Sequence, residues 1–527
     1  MKRIVLLLLV FFAAAGGALA QSVQPLVIGG APKADVRASF GLVENDQRQA
    51  ANNVAKLQAQ LDAGPPVYPW FFPGSTSNSY PFNFNNTIVL PNDNGRSWVG
   101  LGRPAPIGIG GGALVGSKLC LRAQSFATTF DGDTVAGSTS GPTATVILTG
   151  YQVTALDKFN SVHITGGQNF IPGWYGIADV NVRANAWLLD RPCTVAAGGA
   201  MEGYYCPAII RNHGANTYHH GLGFSFKRLP AGPNPDTKQG LVCYHVATNQ
   251  QSGGIATGKH DFDNCAFGFA QAGILCGRDM AGYDSPMKRW TGWNDNQADN
   301  LTTHKCLFVD CANCILVRNE QSLNHDHTAL QAMNLTDAVF RFDAGGKLNA
   351  SGLEVSGSRG TQAILKLGRR ANIQDGPYIV RGFRFDVGPS RNPQLIETDW
   401  RESSTGAVVV FDGGILAHNR ENDGKYLVDI QSGCRLRLYN IQGCAAGPLS
   451  DPHSSGIWPK SVRLRTNANG NFRPHMVVIG CTLSVESQPE EIIDSANSDA
   501  GITVEFFGNS TARGEPLPNK TYVTPGT

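Results

Sequence analysis

An internal match in the sequence restricts the possible folds more than any other feature. Cys265-Ala-Phe267 returns as Cys306-Leu-Phe308 after 41 residues, and Ile274-Leu275 returns as Ile315-Leu316 at the same offset. The shared pattern is an alternating run, a cysteine and a second apolar run. Short strands that repeat in this way are typical of a parallel β-helix, in which each coil pairs with the next. Looser versions follow at 339–342, 378–385, 408–411, 427–430, 436–441, 476–483 and 502–506.

The 41-residue offset fits either two coils or one coil with a long loop, since a coil takes on the order of 20–25 residues. Residues 277–300 lack alternation and contain Gly and Pro, which favours the loop. In that register Cys265 and Cys306 stack in the interior as buried thiols. The sequence has 12 Cys, and one or two bridges, for example Cys193 to Cys206, stay open as alternatives.

Composition excludes several other classes of protein. Only 16% of the 527 residues are charged and 62 are Gly, which argues against a long helical protein or a coiled coil. Lys2 and Arg3 precede the apolar run 4–15 and the small residues Ala18-Leu19-Ala20, so a signal peptide over 1–20 is predicted. Cleavage after Ala20 would make the protein secreted or periplasmic. No other apolar run reaches the roughly 18 residues of a membrane span.

The charge balance points away from polyanions as the main partners. The chain has 43 Lys and Arg against 41 Asp and Glu, so loss of Lys2 and Arg3 with the signal leaves 41 of each. Without a net charge or a basic run, neither nucleic acid nor an anionic membrane is an expected partner. A polysaccharide remains compatible with this balance.

The N-terminal segment resembles a known superfamily. Residues 46–63 are predicted to form an amphipathic helix, and 66–68, 72–74, 87–91 and 99–102 follow as short strands and Gly-containing turns. This order is similar to that of the pectate-lyase-like right-handed parallel β-helix superfamily. The resemblance implies an all-β, single-stranded right-handed parallel β-helix with an N-terminal capping helix. The acidic pair often found before the helix is replaced by Glu44-Asn-Asp-Gln-Arg48.

The predicted organisation follows from the resemblance and from the repeat. Residues 21–102 would form the cap and first coil, 103–510 the parallel β-helix, and 511–527 a C-terminal tail. Long loops are expected at about 170–240 and 277–300. The Arg-x-Pro-x-x-Arg motif of pectate lyases and the paired-Asp and Gly-His-Gly signatures of polygalacturonases are missing. No catalytic set therefore carries over from the superfamily.

Two clusters in the predicted loops suggest a groove for a linear polysaccharide. Aromatic rings offer flat apolar faces to sugars, and neighbouring polar groups bind hydroxyls or carboxylates. The same rings could instead only anchor the loops on the coils. The predicted substrate-binding residues are Trp174, Tyr175, Tyr204, Tyr205, Tyr218, His219, Trp290 and Trp293.

A candidate catalytic group lies beside the repeat. Because His260 and Phe262 take the inward positions, Asp261 and Asp263 are expected to point outward, with His304 opposite Asp263 one strand spacing away, about 4.8 Å. A carboxylate beside a histidine can orient it as a general base or acid. Nearby in sequence are the other predicted catalytic residues, Lys259, Arg278 and Asp279.

Several chemical readings of this group remain open. β-Elimination of a uronic acid needs a base and a positive group or a metal such as Ca²⁺, so Ca²⁺ is a conceivable cofactor of a lyase and no other cofactor is expected. Hydrolysis would need a second acid beside Asp261 or Asp263. Adjacent His219 and His220 would point to opposite faces of a strand, and His325-Asp326-His327 has no third ligand at a suitable spacing, so no metal site is predicted.

Other functions of the same fold also stay open. The rivals are a non-catalytic glycan-binding or surface-structural β-helix and an epimerase-like enzyme, and fold alone does not separate them. The protein is expected to be a monomer or a homotrimer.

Overall fold

The structure is a computed structural model that describes most of residues 33–525. Besides shorter gaps, residues outside the description lie at 73–81, 108–112, 122–128, 137–143, 227–241, 247–257, 277–282, 291–299, 358–362, 372–376, 388–393, 399–406, 418–425, 444–455 and 467–471. The predicted signal peptide over 1–20 lies outside the described residues. Within the described part, none of the helices has the length and apolar character needed to span a membrane.

A short helical cap covers the N-terminal end of the fold. Helices run over Val36–Phe40 and Ala50–Asp62, with a 3₁₀ turn at Gln47–Gln49. The second helix buries Val54, Leu57 and Leu61, which recur at helical spacing on one face. This is the amphipathic helix that the sequence predicts.

The cap also satisfies the backbone of the first coil. The Gln58 side-chain amide donates to the Val89 carbonyl at 2.9 Å and accepts from the Val89 N–H at 3.0 Å. It thus replaces the neighbouring strand that Val89 lacks. An uncovered edge of this kind would offer unpaired backbone groups to other chains.

Most of the remaining chain coils through three sheets. Sheets of 14, 10 and 10 strands, called A, B and C, take one strand each from successive coils, and nearly all neighbours are parallel. The final strand, Lys520–Val523, runs antiparallel to Thr503–Phe507 and ends the sheet. The predicted fold class, a single-stranded parallel β-helix with a helical cap, is confirmed.

The strands of the three sheets are as follows. Sheet A contains Ala34–Asp35, Trp70–Phe71, Ser97–Val99, Thr217–His220, Lys259–Asp263, Asn300–His304, Asn324–Thr328, Leu348–Ser351, Tyr378–Arg381, Val408–Asp412, Arg435–Tyr439, His475–Ile479, Thr503–Phe507 and Lys520–Val523. Sheet B contains Phe82–Phe84, Lys118–Leu121, Gly223–Phe226, Ala266–Gly268, Leu307–Val309, Gln331–Met333, Glu354–Gly357, Arg384–Val387, Ile415–Ala417 and Gln442–Gly443. Sheet C contains Ile88–Leu90, Ala208–Asn212, Val242–Val246, Ala272–Cys276, Asn313–Val317, Ala338–Gly345, Ala363–Ala371, Gln394–Thr398, Val428–Gln431 and Val462–Arg465.

The sequence repeat corresponds to neighbouring coils. Lys259 pairs with Asn300 and Asp263 with His304, so the 41-residue offset is one coil with a long connection, as predicted. Cys265 and Cys306 are both buried in the interior. The Cys306 thiol donates to the Phe262 carbonyl of the preceding coil at 3.4 Å. The cysteines are therefore interior side chains of stacked coils.

The corner that follows the sheet A strand is built in the same way in ten coils. One residue there adopts a left-handed conformation, with φ between 51 and 68°. Glycine and asparagine tolerate this region best, and they occupy eight of the ten corners. The ten residues are Gly221, Asn264, Lys305, Ala329, Gly352, Gly382, Gly413, Asn440, Gly480 and Gly508.

Ala329 is, with Lys305, one of the two corner residues that are neither glycine nor asparagine. Its φ is 52°, a conformation that disfavours a Cβ, while its N–H donates to the Ser351 carbonyl at 2.9 Å and would do so in a glycine too. We expect Ala329→Gly to raise the free energy of unfolding by about 0.5–1 kcal/mol. Thermal unfolding checks this. The control Ala332→Gly, in the buried strand nearby, should lower stability, and a lowered midpoint for Ala329→Gly would contradict the prediction.

The structure corrects the predicted organisation in two places. Residues 129–206 contain a seven-stranded antiparallel sheet, inserted between the coil strands Lys118–Leu121 and Ala208–Asn212. The expected loop at 170–240 is therefore wrong, because that range contains strands of this inserted sheet and of all three coil sheets. The inserted strands are Thr129–Asp131, Val135–Ala136, Thr145–Ile147, Ser161–Gly167, Gly173–Asn181, Ala186–Leu189 and Met201–Cys206.

The C-terminal segment is the second correction. Residues 511–527 were expected to be a tail, but Lys520–Val523 pairs with the last coil, because its edge needs a partner. The connection at 277–300 does separate two coil strands, Ala272–Cys276 and Asn300–His304. Cys193 is buried, while the side chain of Cys206 lies outside the described residues, so their pairing stays a prediction.

The smaller elements complete the described fold. They are the hairpins Ala105–Ile107 with Ala113–Val115 and Tyr283–Asp284 with Arg289–Trp290, the parallel pair Thr482–Leu483 with Ser510–Thr511, and the 3₁₀ turn Pro489–Ile492.

Candidate active site on sheet A

In the two coils over 259–317, sheet A has an accessible outer face, whereas the outward leucines of sheets B and C are buried. On sheet C the outward side chains Leu275 and Leu316 are each 2% exposed, and on sheet B outward Leu307 is 2% exposed. On sheet A the outward side chains of His220 and Asp263 keep 33% and 30% of their surface exposed. A ligand therefore reaches these coils most directly over sheet A.

Two rows of outward side chains run across this face. Strand alternation places every second residue outward, and the parallel register aligns them from coil to coil. The first row, the His220 row, contains His220, Asp263, His304 and Thr328. The second row, the Tyr218 row, contains Tyr218, Asp261, Thr302 and Asp326.

The strongest contact in the His220 row joins a histidine to a carboxylate. His220 Nδ1 lies 2.8 Å from Asp263 Oδ2, so it donates its proton there. This hydrogen bond is the main reason why the pKa of Asp263 is lowered, with the charges of His220, His304 and Lys305 acting in the same direction against partial burial. Asp263 is thus an ionised carboxylate that orients the imidazole and leaves Nε2 without a described partner.

Tyr218 completes the surroundings of Asp263. Its hydroxyl donates to Asp263 Oδ2 at 3.5 Å, and its ring lies nearly parallel to that of His220, with an interplanar angle of 12°. Burial raises the pKa of Tyr218, and the charge of Asp263 adds to the effect. The phenol therefore keeps its proton and supports the carboxylate.

The neighbouring groups are a cation and a second histidine. Lys259 Nζ lies 2.9 Å from Asp261 Oδ2 on the same strand. His304 is in register with Asp263 as predicted, but its Nδ1 pairs with Thr328 Oγ1 at 2.7 Å. The predicted Asp263–His304 pair is thus adjacent in space, while the hydrogen-bonded partner of Asp263 is His220 of the preceding coil.

Beneath the two rows lies a buried polar cluster. His219 Nε2 pairs with the Tyr244 hydroxyl at 2.8 Å, and His260 Nδ1 with Thr217 Oγ1 at 2.9 Å. Burial lowers the pKa of His219 to about 3 and that of His260 to about 4, so both rings are neutral. The expectation that His219 contacts substrate is wrong for this geometry, because alternation turns its side chain into the interior.

The other predicted substrate-binding residues do not form one surface in the described part. Tyr175 is fully buried in the inserted sheet, where its hydroxyl donates to the Ile171 carbonyl, so the expectation of an exposed ring is wrong there. Trp174, Tyr204 and Tyr205 lie on strands of the same sheet, and Trp290 on a short hairpin strand, with side chains outside the description. Arg278, Asp279 and Trp293 lie outside the described residues.

Metal-binding geometry is not found among the described side chains. Searching that part of the chain finds no group of three His, Cys, Asp or Glu that could hold a metal ion. His325 and His327 share one face of their strand, but it is the inward face, and each ring pairs with a hydroxyl, that of Ser322 or Thr303. Ca²⁺ prefers six to eight oxygen ligands, and the described residues around Asp261 and Asp263 do not fit such a site.

The strand register places the chain among the parallel β-helix proteins. A search of family models finds no match for the sequence, and a search of curated proteins finds none either. Among solved structures, the tailspike protein gp49 from Pseudomonas phage LKA1 is 10% identical with a TM-score of 0.31, covering 87% of this chain and 82% of that chain. The Acinetobacter phage vb_AbaP_AS12 gp42 tailspike gives 10% identity and a TM-score of 0.36, over 95% of this chain and 65% of that chain. DFA-IIIase from Arthrobacter chlorophenolicus A6 is 10% identical with a TM-score of 0.32, covering 91% of this chain and 85% of that chain.

Proposed function

We propose that this protein is a polysaccharide lyase that cleaves an acidic glycan by β-elimination over sheet A, with His220 as the base. The observation that carries the proposal is the 2.8 Å hydrogen bond from His220 Nδ1 to Asp263. A carboxylate in this position fixes the tautomer of the ring and stabilises the imidazolium that forms when Nε2 takes a proton. The face is accessible, as a polymeric substrate requires.

The reaction balances with these groups. His220 Nε2 removes the proton beside the uronate carboxylate, and that electron pair forms the new carbon–carbon double bond. The bond from the neighbouring ring carbon to the glycosidic oxygen breaks, and the imidazolium returns its proton to this leaving oxygen. Lys259 is the proposed cation for the uronate carboxylate, because it stands on the same strand as Asp263 and its side chain is 59% exposed.

The protonation state of Asp263 weighs against the hydrolase alternative. An inverting or retaining hydrolase needs one protonated carboxyl as general acid. The pKa of Asp263 is lowered by its hydrogen bond with His220, which is the wrong direction for that role.

Since the described residues do not fit a Ca²⁺ site, we expect the activity to survive a chelator. Secretion after cleavage behind Ala20 would bring the enzyme to extracellular polymer.

A polysaccharide panel tests the proposal directly. The protein without residues 1–20 would be incubated with polygalacturonate, alginate, hyaluronan and neutral glycans, with and without chelator. We expect ultraviolet-absorbing unsaturated ends from at least one polyuronate. New reducing ends without this absorbance would support a hydrolase, and binding without turnover across the panel would support the non-catalytic alternative.

A further inference from the structure

The strand Arg435–Tyr439 presents an unusual set of outward side chains. Arg435 and Arg437 are exposed, Tyr439 is half-buried, and Leu436 and Leu438 between them are buried in the interior. This strand belongs to sheet A, the same sheet as the His220 row. Six strand spacings separate it from the strand of Asp263, which corresponds to roughly 29 Å at about 4.8 Å per spacing.

The two arginines lack counter-charges in the neighbouring coils. Arg437 stands between Val410 and Val477 in the register, and Arg435 between Val408 and His475. Neither guanidinium makes an ion pair or a hydrogen bond within the described part of the chain. Such exposed, unneutralised guanidinium groups favour a carboxylate, which they bind through paired N–H donors.

The nearby carboxylates already have partners. Asp412 accepts from the Asn440 side chain at 3.2 Å, and Glu505 lies 3.3 Å from His475. The arginines are also not part of a generally basic surface, since the predicted mature chain carries 41 basic and 41 acidic residues. The two exposed arginines therefore stand out on a chain that is close to neutral as a whole.

Apolar side chains continue the surface beyond Tyr439. Tyr439, Ile479 and Phe507 follow one another in register on the last coils, and Phe507 is 40% exposed. An aromatic ring beside a guanidinium offers a flat face for a sugar ring next to a binding group for its carboxylate. A uronic acid carries both of these features.

We infer that Arg435, Arg437 and Tyr439 form a second binding site for the acidic polysaccharide, remote from the His220 row on the same face. This inference rests on the proposed function for the identity of the ligand. The remote site would hold a distant part of a long chain while another part lies over His220. It would strengthen the binding of polymers by raising the effective concentration, but not that of short oligosaccharides.

The test separates binding from turnover. In an Asp263→Asn background, the affinity for polygalacturonate and alginate polymers would be compared with that for oligosaccharides of a few units, with and without Arg435→Gln plus Arg437→Gln. We expect polymer affinity to fall by at least about tenfold, because the double variant removes charged hydrogen bonds to the carboxylates of the polymer. The oligosaccharide should bind as before. Arg384→Gln is the matched control, because this exposed arginine on sheet B is paired with Asp386.

Each outcome decides the inference. Unchanged polymer affinity, or an equal loss for polymer and oligosaccharide, would overturn it. A changed oligomeric state with unchanged polymer affinity would assign the strand to a contact between chains instead. If the double variant loses polymer binding while the unmodified protein cleaves no polysaccharide, the binding site stands and the proposed lyase activity fails. If no polyuronate binds at all, both fail.

Discussion

His220→Gln is expected to lower the turnover of polyuronate by about 10²–10⁴-fold, because it removes the proposed base while leaving the strand intact. Asp263→Asn should have an effect of similar size, since the neutral amide lacks the negative charge that stabilises an imidazolium and can donate as well as accept, so that it no longer fixes the tautomer of the ring. Both effects should appear mainly in kcat, as neither group is proposed to contribute most of the binding. Steady-state kinetics by ultraviolet absorbance measures them.

Asp412→Asn is the matched control for these variants. Asp412 lies in the same outward row as Asp263, five strands further along sheet A, and accepts a hydrogen bond from Asn440. We expect its kcat to remain within about twofold of the unmodified protein, as is usual for a surface substitution away from the reacting groups. Retention of full activity by both His220→Gln and Asp263→Asn would remove the His220 row from the mechanism.

Acidification is expected to destabilise the fold at pH values well above those at which carboxylates titrate. Burial lowers the pKa of His219 to about 3, of His260 and His325 to about 4, and that of His327 well below its usual value. In the unfolded chain these rings titrate near 6.5. Below that pH the unfolded state binds more protons than the folded state, so stability falls as pH decreases towards about 4.

The free energy of unfolding is expected to depend steeply on pH, because the four rings act together. Each contributes up to about 1.4 kcal/mol of stability per pH unit in this window, and the contribution is complete only above the unfolded pKa. Thermal unfolding between pH 7 and pH 5 measures the slope. His260→Gln keeps a side chain able to pair with Thr217. This variant should reduce the slope of stability against pH by the contribution of about one titrating group. His304→Gln on the surface serves as control. A midpoint independent of pH in this window would contradict the account.

Sequence reasoning predicted the coil register because the evidence for it is local. The Cys-x-Phe repeat fixed which residues of 259–263 and 300–304 oppose each other, and alternation then separated inward from outward side chains. Burial of the interior face allows only one such register, since a shift by one residue would turn the apolar set to solvent. Asp261 and Asp263 were placed on the surface for this reason.

The contact of His220 with Asp263 was missed because the coil of His220 matches the repeat less closely. Thr217 pairs with His260 across 43 residues, and Leu222 stands where the later coils have cysteine. Phe224 in register with Phe267 was the signal that could have extended the repeat by one coil. With that extension, His220 would have been placed opposite Asp263.

The inserted antiparallel sheet was not predicted because its aromatic residues suit two environments. Trp187 is fully buried in the insert, although a tryptophan in a presumed loop is equally consistent with a sugar platform. Composition cannot distinguish a buried position in a sheet from an exposed position in a loop, because that depends on which strands pair across a long stretch of chain. A similar ambiguity affected Tyr175, whose ring packs inside the same sheet.

The fate of the glycosidic bond tests the central claim most directly. Polyuronate would be digested in water enriched in a heavy oxygen isotope, and the products analysed by mass spectrometry, with His220→Gln as the comparison. β-Elimination over the His220 row predicts unsaturated products lighter by one water molecule, free of heavy oxygen from the cleavage step and strongly reduced in the variant. Saturated products that carry the heavy oxygen at the new end, or equal product from the variant, would contradict it.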